Sequence, residues 1–173
     1  MPGRPLLIQC RIRPFAVARD EHRRLIRALV LGVVTATLAA CGSSGTQVDA
    51  PSPQGATASA CQVLVPLLPR AVAGQESRPV LPPSQYAAAW GDPAIVLRCG
   101  VEEPDGLEPT SQLFTIDGID WFPATGADAT TFTTIGRVAN VEVVVPRSIT
   151  PEAAALTDLA AGIKRSIPPS PAP

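Results

Sequence analysis

The chain has 173 residues and a nearly balanced charge, with 14 Lys and Arg residues against 15 Asp and Glu residues. Half of the basic residues lie in the first 27 positions, and the chain without residues 1–40 keeps seven basic and 13 acidic residues, a formal net charge of −6. An acidic domain does not attract a phosphate backbone, so the composition argues against nucleic-acid binding.

Histidine is nearly absent from the chain. The single one, His22, precedes position 41. The part of the chain that follows position 41 therefore cannot form a Ser-His-Asp or Cys-His catalytic arrangement, nor a zinc site with histidine ligands. The sequence also contains no G-x-S-x-G elbow, phosphate-binding P-loop or G-x-G-x-x-G motif. We therefore expect a protein that is not an enzyme and that uses neither a metal nor a cofactor.

A secretory signal is predicted at the N-terminus. An arginine-rich stretch is followed by an uncharged apolar run at residues 28–40, which ends in Leu-Ala-Ala directly before Cys41. The alternative, a transmembrane anchor, needs about 20 apolar residues, and this run is shorter. The Leu-Ala-Ala-Cys sequence resembles the bacterial lipobox, in which the cysteine is diacylated and begins the mature chain. We expect Cys41 to be the lipid attachment site, so that the protein is anchored by its lipid at the extracytoplasmic face of the cell membrane.

Two further cysteines, Cys61 and Cys99, would remain in the mature chain. An oxidising compartment predicts a disulfide bond between them. The alternative is a pair of free thiols with a metal-binding or redox role. The absence of a C-x-x-C motif and of histidine argues against it.

Composition divides the mature chain into three parts. Residues 41–60 are rich in Gly, Ser, Pro and Ala and lack aromatic residues, which predicts a flexible tether. Residues 61–167 are expected to form a single domain. The proline-rich residues 168–173 are predicted to be a disordered tail.

The first half of this domain is predicted to contain two short helices and a strand. Apolar spacing indicates a helix from Cys61 to about Val72, and a second helix is expected from Ser84 to Trp90. The side chains of residues 95–101 would point alternately to the two faces of an extended segment, which predicts a strand there. The side chains expected on its core face are Ile95, Leu97, Cys99 and Val101.

Two hairpins follow. Asp117-Gly118 predicts a type I′ turn that pairs Ile116 with Ile119 and Thr115 with Asp120. The core face of this hairpin would carry Phe114, Ile116, Ile119 and Trp121. A second hairpin is predicted to turn at Gly136-Arg137. Its core face would carry Phe132, Thr134, Ala139, Val141, Val143 and Val145.

The last element is predicted to be a helix with Thr150 as N-cap and Pro151 at its first position. Its apolar stripe consists of Leu156, Leu159, Ala160, Ile163 and Ile167. Hairpins flanked by helices predict an α+β fold, with a small antiparallel sheet of three to five strands and helices on one face.

Several strings within this domain resemble a known family. The most specific is WGDPAIVLRCGV at residues 90–101, and it is followed in order by PTS, GIDW, FTTIGR and VEVVVP. Over roughly residues 61–168 the chain resembles the uncharacterised actinobacterial lipoproteins that carry domain of unknown function 3515. The resemblance implies a secreted or lipid-anchored envelope protein without established activity, and it supplies no catalytic residue.

Polar residues are predicted on the side of the sheet away from the core, namely Arg98, Thr115, Asp120 and Glu142. One interpretation is ordinary cross-strand pairing on a solvated face. The other is a recognition surface of Arg98, Asp120, Arg137 and Glu142, whose arginines would bind an anionic group.

The functional expectation is a non-catalytic binding or accessory module of the cell envelope. Its partner would be an unidentified envelope protein or wall component. One alternative is a carboxylate-dependent hydrolase of cell-wall polymer that uses Asp120 and Glu142. Another is a structural spacer.

Overall fold

Eight strands form one antiparallel sheet in the computed structural model, which describes residues 45–171. The predicted signal peptide and Cys41 lie outside these residues. The elements are β1 (Thr46–Gln47), α1 (Gly55–Leu64), a 3-10 turn (Val65–Leu67), β2 (Ala71–Val72), β3 (Gln75–Arg78), β4 (Val80–Leu81), β5 (Ala87–Trp90), β6 (Ile95–Val101), β7 (Phe114–Ile116), β8 (Ile119–Thr125), β9 (Ala129–Ile135), β10 (Asn140–Pro146) and α2 (Ala153–Ser166).

The strand order across the large sheet is β2-β3-β5-β6-β10-β9-β8-β7, while β1 and β4 form a separate parallel pair. The α+β class is confirmed, but the sheet is larger than the three to five strands expected. The additional strands come from residues 71–90, where the sequence has few of the β-branched residues that favour strands.

The predicted helix from Ser84 to Trp90 is wrong. Residues Ala87–Trp90 form β5, in which Ala88 pairs with Leu97 and Trp90 pairs with Ile95. Alanine favours a helix by less than about 1 kcal/mol per residue, and pairing with β6 together with the burial of Trp90 outweighs that preference.

The two hairpins differ in how well the sequence predicts them. The β7–β8 hairpin has the predicted register, and positive φ angles at both Asp117 and Gly118 fit a type I′ turn. In the β9–β10 hairpin, Phe132 pairs with Val143, so the register is shifted by two residues from that of a two-residue turn. Because side chains alternate with a period of two, this shift leaves the predicted core face unchanged, and all six of its residues are buried.

Both helices pack on the same side of the sheet, here called the helix-side face; the opposite side is the outer face. The helix-side face contributes Leu97, Val143 and Trp121 to the core. The predicted apolar stripe of α2 is buried as expected, although this helix begins at Ala153, two residues later than predicted. Fully burying each large apolar side chain contributes roughly 1.5–3 kcal/mol.

The Cys61–Cys99 disulfide bond is confirmed and joins α1 to β6. Both cysteines are fully buried, and their Cα atoms lie 5.5 Å apart. Closing a loop of 38 residues stabilises the fold by roughly 4 kcal/mol in the chain-entropy model. Helix α1 begins at Gly55, earlier than predicted, and ends just before Pro66, which cannot continue an α-helical hydrogen-bond ladder.

Residues 46–60, predicted as part of a flexible tether, are instead held against the domain. The amides of Thr46 and Val48 donate to the carbonyls of Pro79 and Leu81 at 2.8 and 2.9 Å, and Val48 is 7% exposed. These contacts use mainly backbone groups, so they leave no periodic pattern of apolar side chains in the sequence.

The predicted disordered tail is likewise ordered over residues 168–170. The amide of Val138 donates to the carbonyl of Pro168 at 3.1 Å, and the amide of Ser170 donates to the carbonyl of Gly136 at 2.9 Å. The chain after α2 is therefore paired with the β9–β10 connection, through the carbonyl of Pro168 as acceptor and the amide of Ser170 as donor.

Replacing Gly100 tests whether the segment before α1 packs against the sheet. A Cβ atom at Gly100 would lie 2.6 Å from the Pro53 Cβ atom, whereas one at Gly106 would meet nothing within 4 Å. Both glycines have positive φ, so Gly106→Ala should destabilise the protein by about 1 kcal/mol. Gly100→Ala should cost a further 1–3 kcal/mol or so, as measured by urea unfolding. An equal loss of stability in the two variants would contradict the packing of Pro53 against Gly100.

The two buried tryptophans allow a matched test of one hydrogen bond. Trp90 Nε1 donates to the carbonyl of Pro69 at 3.0 Å, whereas Trp121 Nε1 is buried without a partner among residues 45–171. Trp90→Phe should therefore destabilise the protein by roughly 1–2 kcal/mol more than Trp121→Phe does, since both variants remove the same volume. Denaturant unfolding followed by far-UV circular dichroism provides the comparison. A larger loss for Trp121→Phe would contradict it.

Candidate functional site

Arg98 and Glu142 of the predicted recognition surface form a cross-strand ion pair. They face each other on β6 and β10, with Arg98 Nε and Nη2 at 2.8 and 2.6 Å from Glu142 Oε1. Arg98 Nη1 also donates to the carbonyl of Asp49 at 3.3 Å. The Glu142 side chain is only 14% exposed. The guanidinium is thus already satisfied within the chain, as the cross-strand interpretation expects.

Arg137 is used in a similar way, as a structural clamp. It lies between β9 and β10 and donates to the carbonyls of Ile167 at 2.6 Å and Gly118 at 3.2 Å. Burial lowers the pKa of the Arg137 guanidinium from its usual value, and the nearby negative charge of Asp120 opposes that shift. The side chain thereby joins the end of α2 to the β7–β8 turn.

The two carboxylates proposed for hydrolysis are not brought together. Glu142 pairs with Thr133, and Thr133 pairs with Phe122, two residues beyond Asp120 along β8. Two strand spacings and two residues along a strand place the Glu142 and Asp120 Cα atoms roughly 12 Å apart. Asp120 is exposed and accepts a hydrogen bond from Thr115 Oγ1 at 2.6 Å. This arrangement does not resemble two carboxylates that flank a glycosidic bond in a cleft.

A cavity of about 610 Å³ lies between the first turn of α2 and the helix-side face of β7, β8 and β9. We call it the α2 cavity. Its apolar walls are formed by Phe114, Ile116, Pro123, Phe132, Ala153 and Leu156, and its polar lining consists of Gln112, Thr125, Thr130 and Glu152. This volume is within the range of small-molecule and side-chain binding pockets.

The α2 cavity lies at the β7 edge of the sheet. Helix α2 passes close to both edge strands, β2 and β7, but leaves part of the helix-side face of β7 uncovered. Phe114 has the predicted orientation towards the helix side but is 53% exposed, because β7 lies at the edge of the sheet. Every element that lines this cavity was predicted, but the sequence does not show how closely α2 packs against β7, β8 and β9, so the cavity itself was not predicted.

The chemistry of the α2 cavity is simple. Glu152 is the sole charged residue in its lining, and Thr130 Oγ1 donates to Glu152 Oε1 at 2.8 Å. Among residues 45–171 there is no group of three or more His, Cys, Asp or Glu residues suited to hold a metal ion. The geometry fits an apolar group whose polar end lies near Glu152.

Neither α1 nor α2, the two α-helices in residues 45–171, is both long enough and apolar enough to cross a membrane.

Substitution of Arg137 tests its assignment as a clamp. Arg137→Met should destabilise the protein by about 2–3 kcal/mol, because two charged hydrogen bonds to backbone carbonyls are lost. Arg165→Met provides the control, since the Arg165 side chain is exposed and forms no hydrogen bond or ion pair within the described part of the chain. That variant should stay within about 0.5 kcal/mol of wild type. Chemical denaturation measures both, and a neutral Arg137→Met would favour the anion-binding interpretation.

Comparison with known proteins gives one match. A family model described as a protein of unknown function (DUF3515) matches residues 25–172, which include every strand and helix described above. No curated protein and no solved structure matches the chain. The match covers most of the sequence and agrees with the resemblance carried by the strings at residues 90–146. The chain therefore belongs to the DUF3515 family.

Proposed function

We propose that this protein is a lipid-anchored envelope protein that acts as a non-catalytic binding module outside the cell membrane. The observation that carries the proposal is the α2 cavity, which is open and largely apolar, and whose single carboxylate already accepts a hydrogen bond. A cavity with these properties can hold an apolar group of a partner.

The sequence and the disulfide support the extracytoplasmic location. The chain has the basic, apolar and small-residue regions of a lipoprotein signal before Cys41. The only cysteines among residues 45–171, Cys61 and Cys99, are bonded to each other, and stable disulfide bonds are typical of proteins folded in oxidising compartments.

The first test concerns the anchor. Metabolic labelling with a clickable fatty acid should modify the wild-type protein and should leave Cys41→Ser unlabelled. The control replaces Cys61 and Cys99 with serine, which removes about 2–5 kcal/mol of stability but leaves the lipid site intact. That variant should still take up label. Equal labelling of wild type and Cys41→Ser would refute the anchor.

The second test concerns binding through the α2 cavity. A photo-crosslinking phenylalanine analogue at position 114 should capture a defined envelope partner in intact cells. Ala153→Trp should abolish that product, because Ala153 is exposed and lines the α2 cavity. Ala161→Trp is the matched control, since it places the same side chain at an exposed position of α2 outside the cavity lining.

The two tryptophan variants decide between a binding module and a spacer. A binding module predicts that the crosslinked product is lost in Ala153→Trp and kept in Ala161→Trp. A spacer predicts no defined product in either variant or in the wild type. A product that is unchanged in Ala153→Trp would mean that the α2 cavity is not the binding site.

A further inference from the structure

The outer edge of β7 is open to another strand. This strand is the last in the sheet and pairs only with β8 among the described strands. Its two-residue turn makes Ile116 and Ile119 a hydrogen-bonded pair, so Thr115 and Asp120 form the next, non-hydrogen-bonded pair. The backbone N–H and C=O of Thr115 therefore point away from β8, where an extended chain can pair with them.

A cavity lies near this edge on each face of the sheet. On the helix side, Phe114 and Ile116 line the α2 cavity. On the outer face, a second cavity of about 330 Å³, here called the outer cavity, is lined by Leu113, which directly precedes β7, by Ile135 of β9, and by loop residues that include Glu103 and Glu108. Successive side chains of an added strand point to opposite faces. Alternate residues of such a strand would therefore enter an apolar environment and an acidic one.

The acidic character of the outer cavity comes from the loop between β6 and β7. Residues 102–108 contain four acidic residues and no basic residue. The carboxylates of Glu103 and Glu108 are exposed and form no ion pair with any residue in the range 45–171. Each is thus available to a cation from outside. The other cavity adjoining β7 has one carboxylate, that of Glu152, and it is already hydrogen bonded to Thr130.

The same charges argue against a second copy of this chain as the occupant. Pairing of two β7 edges would bring two uncompensated acidic loops close together, and like charges near the surface repel by a few kcal/mol at short range. A partner with basic side chains would gain the corresponding attraction.

We infer that the β7 edge binds an extended peptide segment of alternating apolar and basic residues by strand addition. The apolar side chains enter the α2 cavity, the basic side chains face Glu103 and Glu108, and the backbone pairs with Thr115. This inference rests on the proposed binding function and names the class of partner.

The test uses the full-length protein in detergent micelles and a fluorescent hexapeptide of alternating valine and lysine. Thr115→Pro removes the outward N–H and should weaken binding at least about tenfold, as measured by fluorescence anisotropy. Thr115→Val keeps that N–H but loses the same hydroxyl bond to Asp120. Binding to Thr115→Val should stay within about twofold of wild type, because the ladder hydrogen bond is kept.

A second pair of variants tests the charge independently of the backbone. Glu103→Gln combined with Glu108→Gln should weaken peptide binding by about tenfold at low salt. Glu76→Gln serves as the control, because Glu76 is exposed on β3, near the far edge of the sheet. It should bind like wild type. A hexapeptide of alternating valine and glutamate should not bind.

The inference is overturned by the absence of peptide binding, by wild-type binding in Thr115→Pro, or by equal binding of the valine–glutamate peptide. It is also overturned if sedimentation shows that β7 mediates a dimer that Thr115→Pro dissociates. Failure here is distinguishable from failure of the proposed function. A crosslink at position 114 that Ala153→Trp abolishes would leave the binding module standing without this partner.

Discussion

Burial of the helix-side face is the constraint on which the rest of the structure depends. A sheet of eight strands must cover one apolar face, and only α1 and α2 are present among residues 45–171 to do so. The disulfide fixes α1 over β6, near the middle of the strand order, and α2 packs beside it. The centre of the sheet is therefore fully buried, whereas β7 is only partly covered by α2, and Phe114 stays 53% exposed. The α2 cavity is the direct consequence.

The position of α2 is held at both ends, and this keeps the α2 cavity open. At its N-terminus, Glu152 accepts the hydrogen bond from Thr130 on β9. At its C-terminal end, Lys164 Nζ donates to the carbonyl of Asp117 at 2.9 Å, and Arg137 donates to Ile167. A helix fixed in this way cannot slide over β7 to fill the gap without breaking charged hydrogen bonds. The cavity is preformed, which lowers the entropy that binding a partner must overcome.

Local chemistry made part of this fold predictable. The Asp117-Gly118 turn, the alternation in β6 and β10, the disulfide and the α2 stripe each depend on residues close in sequence or on a simple redox argument. The strand at Ala87–Trp90 was not predictable because its alanines pack against neighbours that only the folded sheet provides.

The candidate site could be predicted only in part. The register confirms that Arg98, Asp120 and Glu142 lie on the outer face, but the structure pairs each of them within the chain. Arg137 likewise serves the fold. The α2 cavity depends on how α2 packs against β7, β8 and β9, and no single motif encodes it. The one sequence feature that points to the α2 cavity is Phe114, an aromatic residue on the core side of an edge strand.

Amide hydrogen exchange at two adjacent residues of β7 is the most direct test of this account. The Phe114 amide points towards Trp121 within the hairpin, whereas the Thr115 amide points out of the sheet. By NMR, Phe114 should exchange about a hundredfold more slowly than an unstructured peptide, and Thr115 should exchange at nearly the unstructured rate. Comparable protection of both amides would show that the edge is covered, and comparable exposure of both would show that β7 is not a formed strand. Either result would contradict an open, ordered edge beside the α2 cavity.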